Sequence, residues 1–272
     1  MSNSTLTPGE QLANMILDIV HSECPEAGFL KNMDKLLLAD GDFLEFQKRS
    51  ILYYTLRRLI HGASYALEKA LVQYADSAHA IPIIKDYINN NFSFSLPLEQ
   101  MNRLHALVYS CVDASHKNLT KAARAYTLES FKKSGITTCY MCGVEIDFNS
   151  VEASNSASVE HLFPKEYGGD SRQENLALSC KDCNKHKDDH MHPSDFHFEK
   201  ISTKHDKTHK KFAKQLFVSR HVVAMWLKEN CECTICGKHA SSAGRLEVFQ
   251  KEPQDSWHFL NIGVQCSDHN EG

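Results

Sequence analysis

Two cysteine pairs constrain this chain more than any other feature. CYMCG supplies Cys139 and Cys142, and SCKDCNKHKD supplies Cys180 and Cys183. Structural zinc is four-coordinate and takes thiolates from pairs separated by two residues, so these four side chains form one complete ligand set. The stretch they bracket is short and polar. It cannot bury enough apolar surface to hold itself, and a metal would supply that energy. Inside the bracket lies VEHLFPKEYGGDSRQENLAL, with a Glu-His dipeptide, a Gly-Gly turn and an Asn.

Composition limits the alternatives. The chain has 272 residues, 42% hydrophobic and 24% charged, as in an ordinary protein of one or two domains. The start lacks the basic region and cleavage site of a signal peptide, and no apolar run approaches the roughly 18 residues of a membrane span. An intracellular, cytoplasmic protein with no membrane association is expected. Disulfides are rare in that compartment, so the close groups formed by seven of the eight cysteines in the second half point to metal. Cys24 and Cys111 stand apart and read as small buried apolar residues. A formal net charge of −4 excludes a globally basic nucleic-acid binder. Local basic stretches at 117–133 and 200–214 nevertheless suffice for phosphate contact.

Residues 8–130 read as helical, because MILDIVHSE, FLEFQKRSILYYTLRRLIHGASYALEKALVQYA and LEQMNRLHALVYSCVDA repeat apolar residues at threes and fours. Pro8 and Pro97 mark helix starts, and Asp40–Asp42 and Asn89–Pro97 read as loops. A bundle of five to six helices is expected over 1–120, serving a protein partner, self-association or positioning. Lys121–Ser134 reads as a further basic amphipathic helix, stopped by Gly135.

The second half repeats itself. RAYTLESFKKSGITTCYMCG has a counterpart in RHVVAMWLKENCECTICG, and NLALSCKDCN has one in NIGVQCSDHN. The second copy offers Cys233, Cys236, Cys266 and His269 as a second zinc set, with Cys231 spare. Aligning LEVFQKE with VEHLFPKE sets Glu247 against Glu160 and Val248 against His161. The second copy then has no base and no Gly-Gly turn, and reads as structural or nucleic-acid-binding. Between the copies, His190, His192, His197, His205 and His209 are irregularly spaced among lysines (Lys200, Lys204, Lys207, Lys210, Lys211, Lys214). Residues 191–230 read as solvated, basic linker helices.

Within the first copy, Val159–Pro164 and Leu176–Leu178 have strand character and Cys183–His190 reads as a helix. Asn184 and Asp188 share a face of that helix. Glu160, Asn184 and Asp188 offer oxygen ligands suited to Mg²⁺ or Mn²⁺. His161 points to the opposite side of its strand from Glu160, where a neutral imidazole can act as general base toward water.

These residues resemble the HNH endonuclease family, over about 50 of 272 residues. The resemblance is carried by Cys139/Cys142, Glu160-His161, Gly168-Gly169, Asn175-Leu176 and Cys180/Cys183-Asn184-x-x-Lys187. It implies a ββα-metal treble clef, and hence a mostly α, α+β chain: a helical bundle (1–120), a nuclease unit (121–190) and a degenerate second treble clef (231–272). It implies that His161 is the base, that Glu160 and Asn184 ligate the catalytic metal with Asp188 as a third ligand, and that Asn175 braces the loop. Lys187, Lys185 and Arg172 become nucleic-acid contacts, with Lys187 read equally as a solvated helix residue. DNA is the expected substrate, with RNA also open. Glu160 departs from the commoner Asp or His, and Asn184 makes this an HNN form. Helical extensions of this kind resemble effectors of bacterial defence and restriction. The alternative is a zinc-finger adaptor that binds nucleic acid or protein without cutting.

Overall fold

A computed structural model describes residues 6–23, 42–73, 76–190, 219–253 and 259–269. The fold is mostly helical α+β with two small sheets. Its helices are α1 (Pro8–Glu23), α2 (Asp42–Lys69), α3 (Ser77–Asn91), α4 (Leu98–His116), α5 (Lys121–Lys133), α6 (Lys181–Lys187), α7 (Ser219–Lys228) and α8 (Ala240–Ala243). Its strands are β1 (Ala157–His161), β2 (Leu176–Cys180), β3 (Glu247–Gln250) and β4 (Ile262–Gln265). β1 pairs with β2, and β3 with β4. The linker stretch 191–218, Cys24 and the Asp40-Gly41 turn lie outside the described residues. None of the described helices is long and apolar enough to cross a membrane.

The residues divide into two compact units. The first comprises Met1–Leu119 with His161–Leu176, and the second Thr120–Glu160 with Ala177–Gly272. In the first unit Leu12 and Ile16, Leu56 and Ile60, Ile84 and Ile88, and Leu104 and Val108 are buried at helical spacing. Each helix thus turns one stripe inward. Thr7 and Glu10 form a capping box, Glu10 N–H donating to Thr7 Oγ1 at 3.2 Å and Thr7 N–H to Glu10 Oε2 at 2.7 Å. Pro8 at the first helical position is therefore the start its sequence announced. Helix α3 starts on Asp76, whose Oδ1 accepts from His79 N–H at 3.4 Å. Pro82 lies inside it and interrupts the sequence pattern, and it takes in Asn89–Asn91, which the sequence reads as loop.

The segment 161–176 joins the first unit through a short 3-10 turn, Lys165–Tyr167. Tyr167 is buried and stacks on His61 with ring centroids 5.6 Å apart. Gly168 then needs to be glycine twice over. Its φ is +85°, and a Cβ would sit 2.7 Å from the Cys111 side chain. Gly9 N–H closes the join on Gly168 O at 3.1 Å. These contacts tie the Gly-Gly turn to the helices, so the units cut across the linear segments 1–120 and 121–190 drawn from the sequence.

In the second unit the repeat is visible bond for bond. Tyr140 N–H donates to Leu178 O at 3.0 Å, and Thr234 N–H to Val264 O at 2.8 Å. Gly143 and Gly237, at φ +67° and +70°, each return their N–H to the first cysteine of the knuckle at 2.8 Å.

Candidate metal centre and catalytic residues

The sulfur atoms of Cys139, Cys142, Cys180 and Cys183 lie within 4.8 Å of one another, all buried. Cys142, Cys180 and Cys183 hydrogen-bond Cys139 and hold its thiol far below the ordinary range, as a thiolate. Four convergent sulfurs are the donor set that Zn²⁺ takes. Cys180 ends β2 and caps α6, its Sγ accepting from Cys183 N–H at 3.4 Å. The cluster therefore fixes where α6 begins.

That helix lies over β1 through two polar rungs. Asn184 Nδ2 donates to Ser158 Oγ at 2.5 Å. Lys187 Nζ donates to Glu160 Oε1 at 2.6 Å, with the two side chains 4% and 6% exposed. Ser158 and Glu160 are two apart on a strand and Asn184 and Lys187 three apart on a helix, so each pair shares a face. Burial raises the Glu160 carboxyl above its ordinary range, against the pull of Lys187. Lys187 is thus neither solvated nor presented at a surface, as its sequence reading has it; Glu160 holds it inside.

His161 ends β1, and its Nε2 meets Ser171 Oγ at 3.0 Å. The loop that carries Ser171 is locked by Asn175, itself buried. Asn175 Oδ1 accepts from Phe163 N–H at 2.7 Å, while Nδ2 donates to Phe163 O at 3.0 Å and Asp170 O at 2.8 Å. Gly169 belongs to the same lock, since a Cβ there would lie 1.8 Å from Phe163 O.

Asp188 and Arg172 sit otherwise than their sequence reading implies. Asp188 is beyond the last turn of α6, at φ +50° and ψ −130°, so the shared helical face with Asn184 is lost. It gathers instead with Asp189 and His190, their ligand atoms within 4.8 Å of one another. Arg172 is engaged by Asp170, its Nε donating to Oδ1 at 2.7 Å. Lys185 is exposed on α6. Sequence reading missed Ser158 and Ser171. Two-residue strand periodicity signals Ser158 once Glu160 is singled out, and no spacing signals Ser171.

The second set, Cys233, Cys236, Cys266 and His269, also converges within 4.8 Å. Burial pushes the Cys233 thiol up, but the backbone N–H groups of Cys236, Cys266 and Ile235 outweigh it and bring it to about 6. Cys231 stands outside this set, its thiol pushed up to about 12 by burial. Asn261 repeats Asn175: Oδ1 accepts from Glu252 N–H at 2.7 Å and Nδ2 donates to Glu252 O at 3.1 Å. Lys251 N–H donates to Asn261 O at 2.8 Å just as Leu162 N–H does to Asn175 O at 2.9 Å. Lys251 therefore matches Leu162, which sets Gln250 against His161 and Phe249 against Glu160. The sequence alignment of Glu247 with Glu160 is corrected by two residues. Asn270, which follows the second pair as Asn184 follows the first, lies outside the described residues.

The first unit of the repeat is thus a two-stranded, thiolate-stapled element whose following helix bears on a strand ending in Glu160-His161. The family model described as HNH endonuclease matches residues 139–190, in agreement with the resemblance read from the motifs. An HNH domain points to nuclease chemistry on nucleic acid. No curated protein and no solved structure matches the chain.

Proposed function

We propose that the protein is a metal-dependent endonuclease that hydrolyses DNA phosphodiester bonds, its catalytic unit a zinc-stapled ββα treble clef. The contrast between the two copies carries this reading. Both keep the knuckles, the paired strands and the bracing Asn, whereas only the first has Glu160 and His161 where the second has Phe249 and Gln250. A scaffold needed only for zinc would not require that difference.

In this mechanism His161 is the general base. Ser171 Oγ lies 3.0 Å from Nε2 and orients the ring, and in the tautomer that donates from Nε2 the base toward water would be Nδ1. Asn175 keeps the Ser171 loop in place. Asn184 donates its amide N–H to Ser158, so that Oδ1 is the atom it could offer as a ligand. Asn184 Oδ1 and the Glu160 carboxylate, once released by Lys187, would hold Mg²⁺ or Mn²⁺, while Asp188 would join them only by turning back from its place beside Asp189 and His190. A divalent cation held there supplies charge stabilisation at the phosphoryl and leaving oxygens. The helical unit serves partner binding, self-association or positioning, and a role as a defence or restriction effector fits such an arrangement.

One observation favours a second reading. Lys187 already neutralises Glu160 in a buried ion pair, as it would in a zinc adaptor that binds without cutting. A plasmid nicking assay with Mg²⁺ or Mn²⁺ separates the two. Nicking by the wild type, its loss in His161→Ala and a smaller loss in Ser171→Ala are expected. Equal nicking by wild type and His161→Ala removes His161 as the base. No nicking of any DNA or RNA favours the adaptor.

A further inference from the structure

Helix α5 differs sharply from its counterpart in the repeat. The counterpart, α7, buries Val223, Ala224, Met225 and Trp226 among its ten residues. Of the thirteen residues of α5 only Phe131 is buried. Lys121, Ala122, Arg124, Ala125, Tyr126, Lys132 and Lys133 are exposed, Tyr126 at 78%. The scaffold does not demand this, since the same position in the other copy is packed.

The charge on α5 runs against both the chain and the helix. It carries four basic residues and one acidic, Glu129, in a chain of net charge −4. Lys132 and Lys133 in the last turn suit the helix dipole, but Lys121 and Arg124 stand at the opposite end, where cations are disfavoured. Thr120 Oγ1 caps Ala123 N–H at 3.1 Å, so the helix starts without their help. Lys133 meets Glu129 at 3.6 Å, whereas among the described residues Lys121 and Arg124 stand in no ion pair, and a local rule broken without structural return marks a position chosen for something outside the fold.

The two basic ends are spaced far enough apart to reach both backbones that border a duplex groove. From Lys121 to Lys132 the helix advances about 16 Å at 1.5 Å per residue. The major groove of B-form DNA is about 12 Å wide between its bordering backbones and admits one α-helix. We infer that α5 docks in the major groove of duplex DNA. Lys121 and Arg124 meet the phosphates of one strand, and Lys132 and Lys133 those of the other. The small Ala122 and Ala125, with Tyr126, face the groove floor. The choice of nucleic acid as partner rests on the nuclease reading; docking itself does not need cleavage.

The test is therefore a binding measurement in EDTA, on full-length zinc-loaded protein and a fluorescein-labelled 24-base-pair duplex, over a range of salt. EDTA is added after zinc loading, and zinc content is measured for every sample. Lys121→Ala/Arg124→Ala and Lys132→Ala/Lys133→Ala are each expected to weaken binding about tenfold and to lower the salt slope by about two, close to one per lost phosphate contact. Lys85→Ala, an exposed lysine on α3, is expected to change neither. Gln variants at the same four positions replace the Ala set if that set loses its zinc. Wild-type affinity and slope in both double variants overturn the inference, as does an equal loss in Lys85→Ala or no duplex binding by the wild type. Displacement of the duplex by poly-glutamate at equal charge concentration overturns it in favour of an acidic protein. Because no divalent cation is needed, a failed nicking assay with intact docking refutes the nuclease reading alone.

Discussion

Asn175 and Asn261 close the same pair of hydrogen bonds in the two copies of the repeat, one around Phe163 and the other around Glu252. Both are buried, at 4% and 5% exposure, so each brace works away from competing water.

The shared brace leads to divergent expectations. Asn175→Ala and Asn261→Ala should each destabilise by about 1–3 kcal/mol, because buried backbone groups lose their partners. Denaturant unfolding checks that. Nicking under conditions where both variants remain folded should fall much further in Asn175→Ala, which frees the loop holding Ser171 against His161. Equal residual activity would mean that the brace does not serve the base.

The buried pair Glu160–Lys187 predicts a non-additive response. Lys187→Met leaves a carboxylate without its cation in a dry site and should cost about 3–5 kcal/mol. Adding Glu160→Gln to that variant should recover a large part, because no charge then remains. A double-mutant cycle from urea unfolding measures the coupling. Additive single effects would contradict the ion pair.

The two cysteine clusters predict a stoichiometry of two zinc ions per chain. Cys180→Ser should lose one and unfold its surroundings, and Cys266→Ser should lose the other. His161→Ala should retain both. Metal analysis of purified protein reads all three, and full zinc in Cys180→Ser would dismiss the four-thiolate set.

His105 predicts how stability depends on pH. Its ring is 3% exposed on α4, and burial, with Lys85 adding to it, holds its pKa below the ordinary value. The unfolded chain therefore binds the proton more readily than the folded one. Stability should fall as pH drops below about 6.5. His105→Gln should flatten that part of the profile, as followed by thermal unfolding between pH 5 and pH 7.5.

What spacing can encode was legible beforehand. Metal ligation is local chemistry: two-residue pairs of thiols announce a tetrahedral site wherever the chain carries them, and both sets converge as read. The same holds for Pro8 at the start of α1, for the Asn landmarks at fixed distance from each second pair, and for a strand through Glu160-His161, although that strand is Ala157–His161 and stops short of the Val159–Pro164 read from sequence. Helix α3 lies within the stretch read as helical, and only its last turn escaped, because Asn89–Asn91 are residues that favour loops.

Register and partnership are a different kind of information. A shift of two residues leaves every side chain of a strand on its original face, so alternation could not choose between Glu247 and Phe249 as the match of Glu160. The hydrogen bonds of Asn261 chose. In the same way no spacing rule foretold that Lys187 would turn inward, since its partner is 27 residues away and only the packing of α6 on β1 brings them together. The sequence by itself determined which atoms can hold zinc and which histidine stands beside a carboxylate. Tertiary structure alone decided what those groups touch: ligand chemistry is a property of residue types at short range, and contact is a property of the folded path between them.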